Sequence, residues 1–465
     1  MSKKIKQIGP VRKIYRAEAV RTLVRPKRTV RKHLNADALL GAVKKDFQKV
    51  PDHRADNTKI SLDDALMSAL AMFQLKDPSL LAFDKRRREE PENLHTVFGI
   101  TVIPCDSQMR TILDPVNLSS LRAPFRSVFR QVQRGKDFEK MSFLDGHYLL
   151  SGDGTGFYSS EKVSSPYCMS KRNNNGNILH YQQMYAAAFM NPDRKEVIPV
   201  YPEMITKKDG ANKNDCERNA SRRFYEDFRR EHPHLKVIVL EDALASNAPH
   251  IRDLERLNLR YLLGVKPGDH VFLFDQIDLA DEEGRLNEVE LHAPEDHDKI
   301  HYFRYLNQVP LNKSNPDLLV NVLEYWQVDK DDEITKFSWV TDLPITEDNV
   351  MDLMRAGRAR WKIENETFNT LKNQGYNLGH NYGLGKKNLS AVFTILMMLA
   401  FLIDQVQQIS CWLFQEAWKK AESKRYLWES IRSFFYNYRV DSMETILRAI
   451  AHGFERRELK EVCQT

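Results

Sequence analysis

Three carboxylates stand out by type and setting. Asp153 sits between glycines in the strand-like run Tyr148-Leu149-Leu150-Ser151-Gly152-Asp153-Gly154-Thr155-Gly156-Phe157-Tyr158. Asp242 follows Glu241 at the end of a continuous apolar run, Lys236-Val237-Ile238-Val239-Leu240. Glu364 falls in Arg360-Trp361-Lys362-Ile363-Glu364-Asn365-Glu366-Thr367-Phe368-Asn369-Thr370-Leu371-Lys372, which contains no helix breaker. Ile363, Thr367, Thr370 and Leu371 share one face there at helical spacing. Arg360 and Glu364 are four apart, so on a helix a cation neighbours the carboxylate one turn away. Carboxylate oxygens suit Mg²⁺, which keeps several waters and needs few protein ligands. Two such cations, about 4 Å apart, activate the nucleophile and stabilise the leaving oxygen in phosphodiester cleavage. The three acids therefore point to a site for two Mg²⁺ (or Mn²⁺) ions acting on nucleic acid.

Each acid has a rival. Asp145 precedes the apolar run, which favours Asp153. Glu241 and Asp242 are adjacent, and side chains alternate along a strand, so only one can face the site; Asp242 is the favoured one. Glu366 competes with Glu364.

Charge placement agrees with a nucleic-acid partner. The net charge is +6, but residues 1–33 hold twelve Lys or Arg against one acid, Glu18, which leaves the rest of the chain about −5. A basic arm on a near-neutral body suits phosphate-backbone binding. Five scattered cysteines without a CxxC pair exclude a zinc ribbon or a disulfide framework. The basic start lacks the apolar stretch of a signal peptide. The longest apolar run, 392–403, is shorter than a bilayer crossing needs. A soluble, cytoplasmic protein with no membrane partner is expected.

The elements that must position the acids read as follows. Residues 1–34 are the basic arm and 35–140 a helical DNA-binding domain. Within it Ser61 caps a helix to about 75, and the basic run Lys85-Arg86-Arg87-Arg88 precedes two helical segments, 93–100 and 104–114. That order is compatible with a helix-turn-helix, with Arg86, Arg87 and Arg110 as DNA contacts. From 141 to 265, strands at 148–158, 180–190 and 196–201, a helix at 215–231, a strand at 236–240, a helix at 248–257 and a strand at 260–265 give the α/β order of an RNase H-like core. Residues 266–345, with strands at 272–274, 301–306, 318–328 and 335–341, read as an all-β insertion. The core resumes over 346–408, with one helix running from 346 to 374 and an apolar helix to about 408. Residues 409–465 form a C-terminal helical region.

On Gly152-Asp153-Gly154-Thr155-Gly156, Val237-Ile238-Val239-Leu240-Glu241-Asp242 and Arg360-Trp361-Lys362-Ile363-Glu364, the chain resembles the DDE transposases of bacterial insertion sequences, in the branch with a β insertion domain. The likeness spans about 140–400. The family's helix signature is Tyr-x2-Arg-x3-Glu-x6-Lys. Arg360 and Glu364 match it, Gly357 stands at the Tyr position and Leu371 at the Lys position. Lys372, one residue later, is displaced about 100° around an α-helix. The resemblance implies Asp153, Asp242 and Glu364 as catalytic metal ligands, and Arg360 with Lys372 on DNA phosphates. It implies Trp326 or Trp339 of the insertion stacking on a displaced base, although both also suit core packing. Double-stranded DNA (terminal inverted repeats and target) would be the substrate, and a homodimer the active complex. Two rivals share these features: an RNase H-like nuclease or resolvase without strand transfer, and a transposase-derived DNA binder without catalysis.

Overall fold

The computed structural model describes residues 15–16, 31–205, 216–293, 296–328 and 334–453. Most of the expected basic arm, and residues 454–465 of the expected C-terminal helical region, lie outside the described residues. A two-residue strand β1 (Tyr15–Arg16) precedes α1 (Ala36–Phe47), α2 (Leu62–Gln74), α3 (Leu80–Glu89), α4 (Glu92–Phe98), α5 (Asp106–Leu113) and α6 (Arg122–Arg134). Strands then dominate: β2 (Ser142–Phe143), β3 (His147–Ser160), β4 (Met169–Arg172), β5 (Ile178–Met190), β6 (Ile198–Pro199) and β7 (Glu203–Ile205). Helices and strands alternate through α7 (Glu217–Glu231), β8 (Val237–Glu241), α8 (Ala248–Arg256), β9 (Arg260–Gly264) and α9 (Val271–Glu282). Next come β10 (Asn287–Ala293), β11 (Asp296–Asn312), β12 (Asn315–Val328) and β13 (Ile334–Thr341). The chain continues with α10 (Val350–Ala359), a π-helical turn (Ile363–Phe368), α11 (Asn369–Asn373), α12 (Leu389–Ser410), α13 (Trp412–Ala421), α14 (Lys424–Asn437), β14 (Tyr438–Arg439) and α15 (Met443–His452).

These elements form two compact units. The first holds the residues up to Gly135, Gln374–Asn377 and those from Leu399 onward. Five of its helices start on side-chain caps: Asn35, Ser61, Ser79, Ser423 and Ser442 each accept from an amide of the first turn. All but one residue of α2 are buried, which makes it the central helix of that unit. At its end Lys76 places its ammonium 2.6 Å from Asp404, fully inside, where the Tyr376 hydroxyl donates to the same carboxylate. Burial pushes Lys76 down and Asp404 up, and their mutual attraction opposes both shifts.

The second unit, Lys136–Asn373 with Leu378–Met398, is built on one mixed sheet of order β10-β11-β12-β13-β9-β8-β3-β5-β4. β8 lies parallel to both β3 and β9, and the other pairs along this path are antiparallel. β6 and β7 both pair with β5 where a single strand at 196–201 was expected. Pro199 and Pro202 have no N–H to continue a ladder. The strands of 287–341 are not a separate barrel or sandwich, because β13 joins β9 at Trp339–Thr341.

Three expectations need correction. Residues 272–274 belong to α9, whose buried Leu273, Ile277 and Ala280 follow helical spacing, so the insertion is not all-β. A short apolar run does not by itself separate strand from helix. The helix expected over 346–374 is interrupted at Arg360 and Trp361 and widened at 363–368. The apolar run at 392–403 sits in a 22-residue helix that is long and apolar enough to cross a membrane, and the whole of its apolar window is buried inside the protein.

One contact sets the position of α10. The Trp339 indole, 5% exposed, lies directly on Gly357, where an added Cβ would come 2.4 Å from the ring. Gly357→Ala is expected to lower stability by about 1–3 kcal/mol, as overpacking does. In a Trp339→Leu background the same change should become neutral or stabilising by up to about 1 kcal/mol, the ordinary helix preference of Ala over Gly. Urea denaturation of the four proteins checks this; equal costs in both backgrounds would show that the indole contact does not set the limit.

Candidate active site

The parallel pairing of β3 with β8 brings two of the acids together. Ser151 is in register with Leu240, so two residues further on Asp153 and Asp242 come level at the carboxyl end of β8. Open α/β sheets bind ligands at this end of their strands. Asp153 accepts from the Gly154 amide at 2.7 Å. Asp242 leaves the strand and caps the following 3₁₀ turn, accepting from Leu244 N–H at 3.0 Å. Glu241 points elsewhere. It is buried, takes hydrogen bonds from Tyr185 and from His250 Nε2 at 2.6 Å, and Tyr225 lies 2.9 Å from the Tyr185 hydroxyl. Burial pulls His250 down, but the Glu241 charge and hydrogen bond outweigh it, and its pKa is raised. Asp145 is exposed in the positive-φ turn between β2 and β3, outside the cluster.

The third acid arrives on the segment after α10. Ser151 Oγ donates to the Arg360 carbonyl at 3.5 Å, and Arg360 Nη1 stands 3.2 Å from Glu364 Oε1 and 3.9 Å from Asp153 Oδ2. The guanidinium thus bridges two carboxylates. Lys362 fixes this segment from the other side by donating to the carbonyls of Asn191, Pro192 and Arg194. Burial lowers the Lys362 pKa, and the nearby charges of Glu366, Asp193 and Glu196 oppose that shift. Asn369 N–H reaches back five residues to the Glu364 carbonyl. Such a π turn takes up one residue more than an α turn. It therefore offsets the extra residue before Lys372, which is exposed while Leu371 is buried.

A fourth acid was missed in the sequence. Gly152 and Gly154 share the face of β3 opposite Asp153, and there the Tyr185 hydroxyl and the Glu217 carboxylate fill the space a Cβ would need. Glu217 opens α7 beside the cluster. Burial, with the charges of Asp153, Asp242 and Glu241, pushes it up to about 7. Burial likewise pushes Asp153 up to about 6, helped by Asp242 and Glu364 and opposed by Gly154 N–H and Arg360. Only the pair of glycines two apart hinted that something presses on that face.

Among the described residues no three His, Cys, Asp or Glu side chains form a ready-made metal centre. The donor set fits a hard divalent cation nonetheless, since it consists of carboxylate oxygens around a positive charge, here the Arg360 guanidinium.

Other expected contacts fare differently. Arg86 is 0% exposed and holds Asp77 with two hydrogen bonds of 2.8 and 3.0 Å, so it is an internal ion pair and not a DNA contact. Arg87 and Arg88 both pair with Asp84, and Arg110 pairs with Asp106. Trp339 is a core residue and cannot stack on a base. Trp326 is half-buried between two cations, with Arg304 at 4.9 Å and Lys336 at 4.6 Å from its ring.

Both raised carboxyls bind protons more tightly folded than unfolded. They favour the folded state fully below their ordinary values of 3.8 and 4.5, and that contribution is lost as pH rises through about 6 and about 7. Thermal midpoints of metal-free protein should therefore fall across this window, and Glu217→Gln should flatten its upper part. An identical profile in the variant would show that the Glu217 carboxyl is not perturbed.

No family model matches the chain, and no curated protein matches it. Among solved structures it is similar to a piggyBac transposase in a synaptic complex with hairpin DNA, at 9% identity and a TM-score of 0.40, over 88% of this chain and 84% of that one. A superposition that loose transfers neither fold nor function.

Proposed function

We propose that this chain is a DNA transposase of the DDE type, which cleaves at the ends of its element and joins the freed 3′-hydroxyl to target DNA. The observation that carries the reading is the convergence of Asp153, Asp242 and Glu364, 89 and 122 residues apart in sequence, at the carboxyl end of β8 beside the middle of β3. The strand order supports it too: β5 antiparallel to β3 and β7 antiparallel to β5, then α7, then β8 parallel to β3 and β9 parallel to β8, as in an RNase H-like core. Asp153, Asp242 and Glu364 are the side chains that would hold two Mg²⁺ or Mn²⁺ ions. Bound there, the ions supply Lewis-acid activation of water and stabilisation of the leaving oxygen.

The chain's own groups do the rest. Arg360 offsets the repulsion among the acids and is placed to meet a scissile phosphate. Lys372, exposed beyond the wide turn, adds a second phosphate contact. Trp326, flanked by Arg304 and Lys336, which both pair with Glu324, offers a stacking face for a base. Glu217, across β3 from Asp153, adds negative charge and so raises the affinity of the site for cations. Terminal inverted repeats are the specific DNA partner, and a homodimer would hold two ends.

The test uses a labelled duplex carrying the inverted repeats that flank the gene, with Mg²⁺ or Mn²⁺. Asp242→Asn and Glu364→Gln should each reduce nicking and joining at least about 100-fold, because several kcal/mol of charge stabilisation are lost. End binding should persist. Glu366→Gln should stay within a few-fold of the parent. Full activity in Asp242→Asn would remove this mechanism, and nicking without joining of a pre-cleaved end would point to a nuclease.

A further inference from the structure

The outer face of α6 carries a row of arginines. Arg122, Arg126, Arg130 and Arg134 recur every fourth residue, about 6 Å apart along the axis. The opposite face buries Pro124, Phe125, Val128, Phe129 and Val132, and α1 lies beside the helix in the same unit, which fixes the orientation of the row. Arg126, Arg130 and Arg134 are exposed, and among the described residues no carboxylate pairs with them. No Asp or Glu occurs anywhere from 115 to 136. At the far end of the row Arg31 donates to the Gly135 carbonyl, which adds one more cation there.

Helix stability does not account for this pattern. Like charges four apart oppose a helix, and cations in its N-terminal half oppose the helix dipole. A merely solvated face mixes both signs. The row instead has the chemistry of a polyanion contact: planar donors that grip phosphate oxygens in pairs, repeated along a line. Its in-between positions, Ala123, Ser127, Gln131 and Gln133, offer no aromatic or large apolar group. That leaves no anchor for a protein interface, no platform for unstacked bases and no wedge for a lipid surface.

We propose that this face of α6 is a docking ridge for the backbone of duplex DNA, independent of sequence. The proposal rests on the reading of the chain as a DNA-acting protein and adds a surface that reading does not require. The test compares the intact chain with Arg126→Gln/Arg130→Gln/Arg134→Gln and with the corresponding triple Lys variant, on a labelled duplex of arbitrary sequence at several salt concentrations. The slope of log affinity against log salt should become shallower by about 2–3 in the Gln variant, and by about 0.9 for each single change. The Lys variant should retain the slope. An unchanged slope in the Gln variant, or equal loss in the Lys variant, overturns the proposal. So does a Gln variant that loses binding to anionic phosphatidylglycerol vesicles while its duplex slope stays unchanged. Cleavage is scored separately. Intact metal-dependent cleavage with an unchanged slope removes the ridge and leaves the transposase reading; a slope carried by the row in a chain that never cleaves does the reverse.

Discussion

Like charges gathered where β8 ends beside its parallel neighbour β3 are the constraint on which the second unit depends. The β3–β8 register sets Asp153 beside Asp242, and the segment after α10 adds Glu364. Burial, reinforced by the neighbouring carboxylates, raises Asp153 and Glu217, so without a cation the cluster favours taking up protons. Arg360 relieves part of the repulsion by standing between Asp153 and Glu364. The arrangement costs stability in the absence of a stronger cation, and this same cost gives a divalent ion a reason to bind.

Holding Glu364 in place takes contacts well away from the acids. Trp339 reaches α10 from β13, and Gly357 is the residue that lets the indole approach the helix backbone. A larger residue at 357 would clash with this ring. Lys362 ties the next turn to the carbonyls of the β5–β6 connection. Between these two anchors the chain cannot keep a regular α-helix, and it widens into the π turn that carries Glu364. The segment 287–341 thereby acts as a brace as well as an insertion, because the strand bearing Trp339 is an integral neighbour of β9.

Much of the fold was legible because buried strands announce themselves. The runs at 148–158, 180–190, 236–240 and 260–265 coincide with β3, β5, β8 and β9, each apolar enough to be read without its partners. What escaped were features decided by tertiary neighbours. Nothing local says that Arg86 turns inward to Asp77, nine residues earlier, while Lys85 beside it stays exposed. The identity of Trp339 suits a core and a stacking face equally well, and the glycine beneath it lies 18 residues on. Of the candidate site, the acids at strand ends could be named from pattern. Glu217 could not, because its place depends on how α7 meets β3, a contact across more than 60 residues of chain.

Cation count is therefore a poor guide to where DNA would lie, and pairing is a better one. The run at 85–88 looks like the most basic feature of the first unit, yet Asp77 and Asp84 take up three of its four charges. Lys76, also basic, is sealed inside with Asp404. α6 looks ordinary by composition and contains no acid, and among the described residues no carboxylate pairs with its exposed Arg126, Arg130 and Arg134. A phosphate backbone exchanges its counterions only for charge that is free to replace them. On that physical ground the arginine row, and not the denser run, is the surface from which the first unit can contribute to salt-dependent DNA affinity.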